Sequence, residues 1–122
     1  NLGETHKAIQ YYEQQLEIAR EVGYRRNEGV ALGSLGLAYA DLGETDKAIQ
    51  YYKQSLQIAR QIGDRQGEAI SSWNLGLLLA EERDLTGAME LMQVTVDYER
   101  EIGHTYAEKH AGQVEKLRER LA

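Results

Sequence analysis

The sequence predicts an all-α protein, an α-solenoid of antiparallel helix pairs. Three observations carry this. The chain repeats itself at an offset of 40 residues, each repeat has apolar residues at helical spacing, and glycines stand where those helices should stop. The repeat is the strongest of the three. Leu2-Gly3-Glu4-Thr5 returns as Leu42-Gly43-Glu44-Thr45, and the run from Lys7 to Tyr12 returns unchanged from Lys47 to Tyr52. Leu16, Ile18, Ala19, Arg20 and Gly23 return as Leu56, Ile58, Ala59, Arg60 and Gly63, and Leu35-Gly36-Leu37 as Leu75-Gly76-Leu77. A fainter third copy keeps Ala88, Val96, Arg100, Ile102 and Gly103. A fixed period of this length marks a stacked architecture, in which each unit buries its apolar face on the next.

Taken in order, residues 5–22 form the first helix, closed by Gly23. Residues 25–42 form the second, closed by Gly43. The third, 45–62, shows the pattern most clearly: Ala48, Ile49, Tyr52, Leu56 and Ala59 fall at i, i+1, i+4, i+8 and i+11, one helical face. Thr45 is expected to cap its start, its hydroxyl accepting a free backbone N–H. Gly63 follows its last turn, where a left-handed residue ends a helix. The fourth helix, 65–82, points Ala69, Ser72, Leu75, Gly76 and Leu79 inward. Glu82-Arg83-Asp84 follows it without a glycine, so a different turn is expected there. The fifth helix is 85–102, closed by Gly103. The sixth, 105–121, puts Ala107, Ala111, Val114, Leu117 and Leu121 in one stripe and charge on its outside, as a terminal cap requires. Connections of two or three residues make neighbours antiparallel. Gly36 and Gly76 lie inside helices, where glycine costs about 0.8–1.0 kcal/mol against alanine. Recurrence at a fixed place predicts close helix crossings there, with Ala8, Ala48 and Ala88 small for the same reason.

The chain has 122 residues, no cysteine, no proline and no phenylalanine. Disulfides and cysteine-held metals are excluded. No apolar run approaches the ~20 residues of a membrane helix, and no secretory leader opens the sequence. The formal charge is −6, and most of the acidic excess lies after residue 61. Such a balance repels a phosphate backbone, and Arg25-Arg26 or Arg118 with Arg120 is too small a stripe to offset it. Nucleic acid is not an expected partner.

Leu32, Leu35, Gly36 and Tyr39, followed by Ala48, Tyr52 and Leu56, resemble the tetratricopeptide repeat motif. Ser72, Leu75, Gly76 and Leu79, then Ala88, Met92 and Val96, resemble it again. The 40-residue period is similar to the longer-helix variant of kinesin light chain, the Pins-type polarity adaptors and many bacterial regulators. The usual proline near the repeat end is absent. The resemblance spans nearly the whole chain. It implies a right-handed α-solenoid and a partial repeat at 1–24 (a B helix without its A helix). Full repeats at 25–64 and 65–104 and a C-terminal capping helix at 105–122 would follow. It places Tyr12 and Tyr52 in the family's large core position. The Asn1-Leu2-Gly3 start is read as a cut inside a longer, cytoplasmic protein.

Few residues point to chemistry. His104 and Glu108 share one helical face, but a metal needs three or four converging ligands, and no metal or cofactor is expected. No nucleophile elbow or phosphate loop is present, so the chain is not expected to be an enzyme. What remains is surface. In the resembled family the A helices line a concave groove. At the 40-residue offset its columns are Val30, Ile70 and His110; Gly33, Trp73 and Gln113; Ser34, Asn74 and Val114; Leu37, Leu77 and Leu117. The partner-binding residues are therefore expected to be Val30, Ser34, Leu37, Ile70, Trp73, Asn74 and Leu77. Asn74 resembles the family's peptide-gripping asparagine. With no lysine in these columns, the carboxylate clamp of chaperone-binding relatives is not expected, and the groove suits an apolar peptide or helix. The alternative is an architectural spacer or a self-association module. Ala8, Tyr11, Tyr12, Leu16 and Ala19 cannot all be covered by one following helix, so a homodimer through the first helix is also expected.

Overall fold

The computed structural model describes residues 1–122. It contains six helices and no strand: α1 Leu2–Val22, α2 Arg25–Asp41, α3 Thr45–Ile62, α4 Arg65–Glu81, α5 Leu85–Ile102 and α6 Ala107–Leu121. The first helix begins earlier than expected, because Asn1 accepts the Glu4 N–H at 2.9 Å and caps it. Thr45 is not a cap. The capping residue is Glu44, whose carbonyl already accepts the Ala48 N–H and whose side chain makes no cap bond. The equivalent Asp64 and Asp84 do cap, accepting from Gly67 and Gly87 at 3.0 and 2.9 Å. The shorter carboxylate reaches the first-turn N–H that glutamate does not.

Gly23, Gly43, Gly63 and Gly103 are all left-handed, as a C′ residue should be. The turn after α4 corrects the expectation drawn from its missing glycine. Arg83 takes φ 66° and the same backbone bonds as the Gly43 turn: Arg83 N–H to Ala80 and Asp84 N–H to Leu79, against Gly43 to Ala40 and Glu44 to Tyr39. The hydrogen-bond pattern decides the turn, and the arginine adopts a conformation that costs roughly 1–2 kcal/mol for a residue with a Cβ. Arg83→Gly is therefore expected to raise stability by about 0.5–1 kcal/mol, after the added unfolded-state entropy of glycine. A thermal melt no higher than the parent's would contradict this.

The chain forms two compact units, residues 1–67 and 68–122. In the first, α2 packs on both α1 and α3. Its core is Ile9, Leu16, Ala31, Leu32, Leu35, Ala38 and Ile58. The α2–α3 crossing is close because α2 brings glycines to it. A Cβ built on Gly36 would lie 2.8 Å from two ring carbons of buried Tyr52. Ser55 Oγ donates to the Gly29 carbonyl at 2.8 Å across the same crossing. The second unit repeats the device. A Cβ on Gly76 would lie 2.6 Å from Met92 Cγ, and Thr95 Oγ1 donates to the Ala69 carbonyl at 2.6 Å. Its core is Ala88, Met92, Val96, Val114 and Leu117, where α5 packs on α6.

The last helix departs from the 40-residue register. Val114 and Leu117, placed in the groove columns by offset, are instead buried, while Lys109, Glu115 and Lys116 are exposed. The start of α6 is delayed to Ala107, and its buried face is set by its own stripe, Ala107, Val114 and Leu117. A shift of one or two residues turns a helix by about 100–200°, which moves a column off the surface.

Candidate functional site

On α2, Val30 and Leu37 stand two turns apart on one side and are 62% and 56% exposed. Ser34 lies between them, half-buried. On α4, Ile70 and Leu77 hold the same positions and are 55% and 43% exposed, with half-buried Trp73 and Asn74 between. Each of the two helices thus presents a short apolar stripe that its own unit does not cover. Leu32, Leu35, Leu75 and their buried neighbours use the opposite side of the same helices, so the stripes are surplus to the core.

Trp73 differs from its neighbours. Its ring lies 4.2 Å from that of His110, tilted by 38°, and it borders the Ala88–Met92 cluster. His110 Nδ1 lies 2.7 Å from Glu99 Oε1, and Glu99 is buried. The second carboxylate oxygen of Glu99 is 3.8 Å from His104 Nδ1. The tryptophan is therefore held in place by a His–Glu pair within its own unit.

His104 and Glu108, which share a helical face in the sequence, turn to other partners. His104 Nδ1 accepts the Tyr106 N–H at 3.1 Å, and Glu108 accepts two bonds from Arg100 at 2.9 and 3.2 Å. No group of three His, Asp or Glu side chains comes together to hold a metal ion. Arg20 and Glu28 make the equivalent contact at 3.2 Å, bridging Gly23 as Arg100 and Glu108 bridge Gly103. The arginine repeat is plain in the sequence. Its glutamate partners recur at the same offset eight residues on, and that signal identifies the pair without coordinates. Hydrogen bonding and charge from Arg100 hold the Glu108 carboxyl below its ordinary range. The contribution of a carboxylate so lowered is present above its unfolded pKa and is lost as pH falls through the lower folded value. A carbon-detected NMR titration should give Glu108 a midpoint below the ordinary glutamate value, raised again by Arg100→Gln. An unchanged midpoint in that variant would remove Arg100 as the cause.

Three of the arginines considered for a basic stripe are engaged: Arg25 with Glu28 at 2.9 Å, Arg26 with Asp64 at 3.0 Å and Arg118 with Glu115 at 3.4 Å. No helix is long and apolar enough to cross a membrane. On α1 the one following helix covers part of the expected set and not all of it. Leu16 and Ala19 are buried and Tyr12 half-buried where α2 packs on α1. Tyr11, Ile18 and Val22 remain exposed.

A family model described as "Tetratricopeptide repeat" matches residues 1–61 and again residues 31–98. No curated protein sequence matches the chain. The crystal structure of BtubC (BKLC) from P. vanneervenii is similar in fold, with a TM-score of 0.71 at 19% identity. The match covers 98% of this chain and 58% of that one, so the chain spans little more than half of that structure's length.

Proposed function

Because this chain belongs to the tetratricopeptide repeat family, whose repeats generally serve as protein-interaction scaffolds, we propose that it is a non-enzymatic binding module for an apolar peptide or helix. The surface it offers a partner's side chains is Val30, Ser34 and Leu37 on α2 of the first unit and, in the second unit taken by itself, Ile70, Trp73, Asn74 and Leu77 on α4. One observation carries this reading. Four large aliphatic side chains, Val30, Leu37, Ile70 and Leu77, recur at the repeat offset with about half their surface open. Exposed apolar stripes of this kind mark partner sites. Asn74, between two apolar neighbours, supplies a polar group for a partner's backbone, and Trp73 supplies a rigid anchor.

The experiment is selection of binding peptides from a random display library on the intact protein. Apolar sequences should be enriched over acidic carboxyl-terminal ones. Leu37→Glu and Leu77→Glu, both at exposed positions, should each weaken a selected peptide by about tenfold or more, a change of about 1.4 kcal/mol. Peptides that bind both variants as well as the parent would overturn the assignment.

A further inference from the structure

Carboxylates withdrawn from solvent differ in what neutralises them. Glu28 takes Arg20 at 3.2 Å and Arg25 at 2.9 Å, and Asp64 takes Arg26 at 3.0 Å. Arginine is always charged in a protein, so those ion pairs do not depend on pH near neutrality. Glu99 is different. It stands where the two earlier copies have the buried alanines Ala19 and Ala59, and it is itself buried. A carboxylate placed there costs stability unless a cation meets it. The groups that meet it are two imidazoles: His110 Nδ1 lies 2.7 Å from Oε1 and His104 Nδ1 lies 3.8 Å from Oε2. Histidine side chains change charge between about pH 5 and 8. We propose that Glu99, His110 and His104 form a proton-responsive latch, which holds α6 on α5 and steadies Trp73 when the imidazoles are charged. Its effect on binding rests on the α4 surface assigned above; the latch itself does not.

Protonation acts at three contacts. A charged His110 forms an ion pair with Glu99 through Nδ1–H, where the neutral ring gives only a hydrogen bond. The same ring lies 4.2 Å from that of Trp73, so its charge also faces the indole π-system. His104 changes partner. Uncharged, its Nδ1 accepts the Tyr106 N–H at 3.1 Å. The imidazolium carries a hydrogen on both nitrogens and accepts nothing, so Nδ1–H turns to the second oxygen of Glu99. Other charged and titratable groups surround the pair. The Tyr106 ring lies 5.5 Å from that of His104 and 6.1 Å from that of His110. Lys109 Nζ stands over the Tyr106 ring at 5.6 Å, and Arg100 is engaged with Glu108 across the Gly103 turn. The imidazoles are thus left to balance Glu99, while α4 presents the uncharged Trp73. Contacts that favour a charged ring add stability where it is protonated and lose it as pH rises. The α4 surface is therefore firmest, and Trp73 the more effective as a rigid anchor, at mildly acidic pH.

The test compares the intact protein with Glu99→Gln, which keeps an acceptor for His110 but no charge. Between about pH 6 and 8, the parent's unfolding constant in urea should rise severalfold relative to that of the variant. Trp73 is the one tryptophan of the chain, so acrylamide quenching reads its cover directly. Quenching should increase over the same range in the parent and stay level in Glu99→Gln. Glu99→Ala restores the residue of the earlier copies, which keeps the fold, and should be equally level. His104→Asn, whose side chain can still accept the Tyr106 N–H, should keep part of the response, and His110→Gln little of it. A parent whose quenching and relative unfolding constant do not change with pH would overturn the latch. So would a response that Glu99→Gln retains in full. A selected peptide whose binding Leu77→Glu weakens should bind the parent severalfold tighter at the lower pH, and Glu99→Gln equally at both. An affinity that ignores pH while quenching responds would overturn the link to the α4 surface. Failure to select any peptide would overturn that surface instead, and the latch would still stand or fall by the quenching.

Discussion

Gly36→Leu is expected to destabilise the first unit by about 3 kcal/mol or more, at the upper end of overpacking effects. Even the first carbon of the new side chain would sit 2.8 Å from the Tyr52 ring. The ring cannot give way cheaply, because Tyr52 is almost fully buried between its neighbours. Gly36→Ala separates the two forces at work. Helix propensity alone favours alanine by about 0.8–1.0 kcal/mol, so any net loss of stability measures the clash. In a Tyr52→Ala background the same Gly36→Ala change should lose most of its cost, a coupling that only direct contact produces. Gly76→Leu should cost less than Gly36→Leu, because its first obstacle is the flexible Met92 side chain, although the Ala88 carbonyl at 3.2 Å limits how far the chain can move. Urea denaturation checks all four. A midpoint for Gly36→Leu equal to the parent's would refute the close crossing.

Trp73→Ala is expected to cost about 2–3 kcal/mol, less than a fully buried tryptophan because part of the ring is open. The indole packs on His110 and on the α5 cluster, so its removal opens a void and frees the His110–Glu99 pair. Leu77→Ala, on the same helix but exposed, should change stability by no more than about 0.5 kcal/mol. Trp73 fluorescence should show quenching by acrylamide intermediate between a free indole and a buried one. Full accessibility, with no stability loss in Trp73→Ala, would show that the ring does not pack on His110. This pair of variants also matters for the binding reading. Loss of a partner in Trp73→Ala carries a folding component, whereas loss in Leu77→Glu does not.

The sequence by itself determined the architecture of this protein. Its period, its helical faces and the glycines at 23, 43, 63 and 103 depend on local geometry: a 3.6-residue turn and the freedom of a residue without a Cβ. Those rules act within a few residues and are legible in one copy and checked by the next. The close crossings at Gly36 and Gly76 were legible for the same reason, since an unfavourable residue repeated at one register has a packing cause. Tertiary structure decided the rest. Arg83 accepts a left-handed backbone because the bonds to Leu79 and Ala80 fix the turn around it, a force no local preference reveals. Glu108 turns to Arg100 rather than to His104 because the Gly103 turn brings α5 and α6 side by side. The α6 register slips from the repeat because its stripe, not its sequence offset, chooses the buried face. Trp73, open by repeat position alone, is half covered because His110 and Glu99 arrive from α6 and α5 to hold it. The Trp73 contact joins residues distant along the chain, and its free energy exists only once the helices have docked.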